Sequence, residues 1–275
     1  MTENHDEMMR ANLRNWDART SIHVGSEFYD LAGLRDGAER LAPFEYDELG
    51  QLAGRSLVHL QCHLGTDTVC LARAGADAAG LDLSPESVAA AGRIAADCGV
   101  DVRYEAGNVY DAADVFGDER FDVVYTGKGA LVWLPDLELW ARTVAALLRP
   151  GGLLYLVEFH PLLRALTYGE QPDEGLLIEY DYLPGRGAEH LDSPHTYTDG
   201  PRLAGHTVSY QWAHGLGTIV NALIGAGLRI ESLAEHDILP WQRIPEMTPA
   251  GNGWWRLPES RPRIPVLFSL RAVRP

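Results

Sequence analysis

The chain has 275 residues and an acidic balance, 23 Lys and Arg against 39 Asp and Glu, for a formal net charge of −16. Nucleic-acid phosphates need a basic face, so a DNA or RNA partner is disfavoured. Three cysteines (Cys62, Cys70 and Cys98) fit reduced thiols, no apolar run nears the ~20 residues that span a bilayer, and the polar residues 1–10 lack the apolar core of a signal peptide, so the expectation is a globular cytoplasmic protein with no membrane partner.

The length suits one large domain or a domain with a lid. Residues 1–10 read as frayed. Residues 12–41 carry Trp16, Ile22, Val24, Phe28, Tyr29 and Leu31, enough apolar side chains to dock as one or two helices. Residues 1–50 are therefore read as an N-terminal helical lid. Residues 57–60 form a short apolar run, as a strand covered on both faces should. The turn Gln61-Cys62-His63-Leu64-Gly65 follows, then residues 66–73 with helical spacing and a stop at Gly75. Free N–H groups at the helix start make the turn electropositive. Residues 78–81 form the next buried strand, which ends at Asp82. An acid about 20 residues past such a turn is placed to bond a ribose diol. The unit binds a nucleoside.

Ser84-Pro85-Glu86 starts a helix that runs to about Asp97. Residues 102–105 read as a third strand, with Gly107-Asn108-Val109 after it. Residues 121–126 (Phe-Asp-Val-Val-Tyr-Thr) form a fourth strand, followed by Gly127-Lys128-Gly129-Ala130 where ligands of open α/β sheets bind. Lys128 reads as a solvated loop lysine, with a partner for an acidic substrate group as the alternative. Residues 134–148 form an amphipathic helix, and Arg149-Pro150-Gly151-Gly152 turns into an apolar strand at 153–159. Glu158, His160 and Pro161 sit at that strand's C-terminal end, facing the site. Residues 162–212 read as an insertion over the substrate, with a strand pattern at Val208, Tyr210 and Trp212. A helix at 216–225 and a sixth strand at 228–235 follow. Residues 241–263, rich in Pro and Trp, read as a long surface loop, and 266–273 as a closing antiparallel edge strand.

Four of these motifs, in this order, resemble class I S-adenosylmethionine-dependent methyltransferases, most of all small bacterial members with a His-Leu-Gln-Cys-His-x-Gly-x-Asp-Thr turn. The others are the acid closing the second strand, the Phe-Asp-x-Val strand and the Leu-Arg-Pro-Gly-Gly turn. The family's strand-end acid is His59 here, and of its three turn glycines only Gly65 survives, Gln61 and His63 holding the other two places. The resemblance implies an α/β fold: a Rossmann-like, seven-stranded, mostly parallel sheet with helices on both faces and an antiparallel edge strand, spanning 51–275. It implies S-adenosyl-L-methionine as cofactor, its methionine end on the Gln61–Gly65 turn, its ribose on Asp82 and its adenine amino group on Asn108. The cofactor residues expected are Tyr29, Gln61, Cys62, His63, Gly65, Thr66, Asp67, Thr68, Asp82, Leu83, Asn108, Val109, Thr126 and Gly127.

Methyl transfer from a sulfonium is an in-line displacement that needs alignment and dryness, and an oxygen or nitrogen acceptor must also lose a proton. Histidine is the natural base. By place in the chain the candidates rank His160, His214, then His23. Cys62 and His63 lack metal-site spacing with any other Cys/His pair, so no metal is expected. Of the aromatics Trp133, Tyr155, Trp212, Trp241, Trp254 and Trp255, most read as core and some as stacking surface. The function expected is O- or N-methylation of a small molecule. The rivals are a nicotinamide-dependent oxidoreductase, whose pyrophosphate Gln61 and His63 would crowd, and a non-catalytic binder of the same cofactor.

Overall fold

The computed structural model describes residues 3–168 and 175–275. Three helices come first: α1 (Glu3–Val24), α2 (Leu31–Arg35) and α3 (Pro43–Leu49). Strands and helices then alternate: β1 (Ser56–Leu60), α4 (Thr66–Arg73), β2 (Asp77–Asp82), α5 (Pro85–Asp97), β3 (Val102–Ala106), α6 (Ala112–Val115), β4 (Phe121–Thr126), α7 (Leu137–Leu147) and β5 (Leu148–Phe159). Next come α8 (Pro161–Ala165), the hairpin β6 (Leu166–Tyr168) and β7 (Leu176–Ile178), and the pair β8 (Ala188–Asp192) and β9 (Val208–Trp212). The chain closes with α9 (Leu216–Gly225), β10 (Arg229–His236), a small sheet of β11 (Ile238–Leu239), β12 (Thr248–Gly251) and β13 (Trp254–Arg256), and β14 (Leu267–Val273).

Seven strands form one sheet in the order β10-β14-β5-β4-β1-β2-β3. β1 to β5 pair in parallel, while β14 pairs antiparallel with both β5 and β10. The antiparallel strand is thus second from the rim, with β10 outermost. From β1 the chain first builds outward to β3, then returns to build the other side from β4. The cleft between the ends of β1 and β4 is the place such sheets bind ligands. The turn after β1 and the loop after β4 meet there.

Side-chain alternation along the strands feeds two cores. Val58, Leu60, Val124, Leu154 and Leu156 pack with Trp140 and Leu147 of α7 and Leu223 of α9. Leu57, Tyr125, Tyr155 and Val157 pack on the other face with Val69 and Leu71 of α4 and Ile94 of α5. The helix starts are chemically marked. Ser84 caps α5 by accepting from Ser87 N, with Pro85 in the first turn, and Asp136 caps α7 by accepting from Leu139 N.

Two expectations are corrected. Residues 3–10 are not frayed: α1 begins at Glu3. It is fastened to β9, where the Asn12 amide donates to Tyr210 O (2.9 Å) and accepts from Tyr210 N (2.7 Å). Residues 241–263 are not a bare surface loop. They supply β12 and β13 and bury Ile244, Met247 and Trp254 against Leu163, Leu239 and Leu267 in a third, smaller core.

Candidate active site

The turn after β1 keeps a glycine-like backbone without the glycines. Gln61, His63 and Gly65 have φ of 59°, 47° and 67°, all in the left-handed region. For Gln61 and His63 this conformation costs on the order of 1 kcal/mol each. Gly65 is indispensable for a second reason: a Cβ there would lie 2.3 Å from the Tyr104 hydroxyl oxygen. The turn is held from both sides. His63 N donates to Asp82 Oδ2 (2.7 Å) and Ser84 N to Asp82 Oδ1 (2.9 Å). Burial lifts the Asp82 carboxyl to about 6 against the pull of those two N–H groups. Gln61 Nε2 donates to Ala130 O (2.9 Å), and Gln61 Oε1 is buried with no partner among the described residues.

A cavity of about 570 Å³ opens beside this turn. One wall is the turn itself (Gln61, Cys62, His63) with Thr66, Asp67 and Gly127. Arg40, from the segment between α2 and α3, joins it. Its guanidinium donates to Tyr29 O (3.0 Å) and Asp30 O (2.6 Å), and its Nε is buried without a partner among the described residues. Phe28, Trp133, Phe159, Tyr197 and Trp241 add an aromatic lining. His214, Gln211 and Glu189 complete it from the 162–214 region.

Lys128 is not solvated, which corrects the sequence reading. Its Nζ is buried 2.9 Å from Glu45 Oε1 and 3.4 Å from Asp67 Oδ2. Burial disfavours the ammonium, but Asp67 and Glu45 outweigh it and raise its pKa. Tyr125 OH donates to Glu45 Oε2 (2.9 Å), so α3 is stapled to the floor of the cavity. His59 lines the cavity too. Its Nδ1 is 2.8 Å from Thr68 Oγ1, and burial lowers it to about 4.

The expected cofactor residues divide. Tyr29, Gln61, Cys62, His63, Thr66, Asp67 and Gly127 line the cavity; Gly65, Thr68, Asp82, Leu83, Asn108, Val109 and Thr126 do not. Gly65 caps α4, Thr68 supports His59, and Thr126 is buried at the end of β4. Asn108 accepts from Tyr110 N (3.2 Å), the ordinary cap of a short turn, and Val109 is core. The side of the site near Asp82 is covered by α1: Ser84 Oγ donates to Asp17 Oδ1 (2.5 Å), and Thr20 bonds Ser87 (2.8 Å).

The three ranked histidines fare differently. His160 does not line the cavity. Nδ1 accepts from Leu162 N (3.0 Å) at the start of α8, and Nε2 sits 2.9 Å from Glu235 Oε1. His23 is fully buried between His63 Nε2 (2.7 Å) and Thr196 Oγ1 (2.6 Å), where burial drives it down to about 3. His214 stands in the cavity wall, its Nε2 2.8 Å from Leu134 O, with its pKa lowered by burial. The sequence reading missed Arg40 and Glu45. Neither belongs to a motif, and both enter the site through α2 and α3 packing on the sheet. It placed Glu158 on the correct side without a role.

Comparisons with known proteins follow the same geometry. The family model described as "Methyltransferase domain" matches residues 58–154. A ubiquinone biosynthesis O-methyltransferase of Methylobacterium sp. (strain 4-46) is 30% identical over 229 residues, covering 77% of this chain and 88% of the relative. Another ubiquinone biosynthesis O-methyltransferase, from Methylobacterium nodulans, is 31% identical over 64% of this chain and 73% of its own. Among solved structures, an S-adenosylmethionine-dependent methyltransferase from Mesorhizobium loti superposes with a TM-score of 0.59 at 25% identity, over 87% of this chain and all of that one.

Proposed function

This chain belongs to the class I S-adenosylmethionine-dependent methyltransferases, and from that premise we propose that it methylates an oxygen or nitrogen of a small organic acceptor with His214 as the base. Residues 1–50 act as a lid over the methyltransferase domain at 51–275, and residues 162–212 as a substrate cap. The cofactor supplies a methyl group already activated on a sulfonium, so the protein's share is alignment, dryness and proton removal.

The residues present suit that cofactor. The buried, unpartnered Gln61 Oε1 and the Asp67 carboxylate face a place for its ammonium group, and the Arg40 guanidinium a place for its carboxylate. The left-handed backbone at residues 61, 63 and 65 gives the turn the shape the missing glycines would have given it. Asp82 lies under α1, so it offers a ribose the lone pairs left beyond its two N–H contacts when the 1–50 lid is open.

The tautomer of His214 carries the base assignment. A backbone carbonyl only accepts, so the contact with Leu134 O makes Nε2 the protonated nitrogen and leaves the lone pair on Nδ1. The lowered pKa keeps the ring neutral at physiological pH. Nδ1 takes the acceptor's proton as the new bond to the methyl carbon forms. Trp133, Phe159 and Trp241 offer flat apolar walls to a ring-bearing acceptor. The names of the curated relatives support a small-molecule oxygen acceptor.

The test is transfer of a labelled methyl group to a panel of phenols and amines. His214→Asn should lower kcat about 100-fold while S-adenosylhomocysteine affinity stays within about twofold. An unchanged kcat would remove His214 from the reaction.

A further inference from the structure

Glu158 is a buried carboxylate in the cavity wall, and among the described residues no cation pairs with it. Its partners are backbone N–H groups. Gly129 N donates to Oε1 (2.5 Å), Leu131 N to Oε2 (2.9 Å), and its own neighbour Phe159 N to Oε1 (2.6 Å). Successive N–H groups turned to one side form an anion nest, and here the nest after β4 is filled by the protein's own carboxylate from β5. The residue between the two donors is Ala130, whose carbonyl accepts from Gln61 Nε2. Leu134, three residues past Leu131, supplies the carbonyl that sets His214.

We propose that Glu158 is a positioning residue for the cofactor turn: its carboxylate sets the backbone at 129–131, and Ala130 O then aims the Gln61 amide so that Oε1 faces the cofactor. The inference rests on the reading of Gln61 as a cofactor contact. A neutral side chain cannot do the same work. A glutamine amide would turn an N–H toward one of the N–H donors, and a protonated carboxyl would turn an O–H the same way. The packed elements bring few other charges near. Lys128 on the loop is engaged by Glu45 and Asp67, His160 on the strand's extension is engaged by Glu235 of β10, and β14 sets Phe268 opposite Glu158. Burial dominates and lifts the Glu158 carboxyl to about 7, so the nest loses its anion in a range where activity can be measured.

The experiment is calorimetric titration of the full chain with S-adenosylhomocysteine from pH 8.5 to 5.5, for the native protein, Glu158→Gln, Gln61→Ala and the double variant. The native affinity should fall in two limbs on acidification, one near pH 7 from Glu158 and one near pH 6 from Asp82. Glu158→Gln should bind about tenfold more weakly at pH 8 and keep only the lower limb. Gln61→Ala should also lose the upper limb, and adding Glu158→Gln to it should cost nothing further. The loss of the upper limb in Gln61→Ala alone is readable even if Glu158→Gln folds poorly. An upper limb that persists in Gln61→Ala, or native-like binding by Glu158→Gln at pH 8, overturns the inference. No binding by the native protein at any pH would instead overturn the cofactor reading of the turn, and this inference with it.

Discussion

The stretch from β1 to β5 and the stretch from α8 to β13 build the two sides of one cavity by different means. On the first side the site is mainly backbone: left-handed residues at 61, 63 and 65, the N–H groups on Asp82, and the nest at 129–131. Its strands are buried on both faces, so the ends cannot move without disturbing two cores. On the second side the site is mainly side chain, carried on short elements pinned by individual contacts such as Arg164–Glu189. The difference explains how Gln61 and His63 can stand where the family has glycines. A rigid sheet edge holds the backbone's shape and lets the side chains change. The second side has no such tolerance, because there the side chain is the site.

Three experiments break or sharpen this contrast. The largest effect belongs to Trp140→Ala on α7, a fully buried side chain in the larger core. It should cost about 3–5 kcal/mol in urea unfolding, as large core deletions do. Trp254→Ala in the small third core should cost clearly less. Equal losses would mean that the third core packs Trp254 as tightly as the larger core packs Trp140.

The intermediate effect is acid-driven. Burial lowers both His23 and His63, with Arg19 a further cause for His23, and His23 and then Arg19 further causes for His63. Below the ordinary histidine range the unfolded chain takes up protons that the folded chain refuses. This contribution is therefore intact above pH 6.5 and is lost as pH falls toward the folded value, about 3 for His23. Protection factors of α1 amides in hydrogen exchange, corrected for the intrinsic pH dependence of exchange, should be lower at pH 5 than at pH 7 while those of β1 and β4 barely change. A uniform loss of protection would show that α1 is not separable from the sheet.

The smallest effect is Tyr197→Phe, which removes the bond to Tyr29 OH (2.5 Å). Thermal unfolding should shift by less than about 1 kcal/mol. A larger loss would mean that the 193–207 segment carries more of α1's attachment than the His23–Thr196 bond accounts for.

The legible residues had local signals. Ser84-Pro85 marked a helix start, residues 121–126 a strand and residues 216–225 a helix, and each element runs over those residues. Asn108 shows where local reading stops. Its place after β3 pointed to adenine, while its side chain caps the next turn. His160 was ranked by strand-end position alone, and its Nδ1 accepts from Leu162 N while its Nε2 lies 2.9 Å from Glu235 Oε1, outside the cavity lining.

By itself the sequence determined the order of strand, turn and helix, the cap that starts the helix at Ser84 and the apolar runs of strands covered on both faces. These depend on residues a few positions apart, whose spacing repeats with the period of the element. Only the tertiary structure decided which charged groups meet. Lys128 finds Glu45 across 83 positions, Glu158 finds the N–H of Gly129 across 29, and His214 finds Leu134 O across 80. No periodicity links such pairs. They come together because the strand order brings the ends of β1, β4 and β5 to one cleft, and burial then forces each polar group to find a partner.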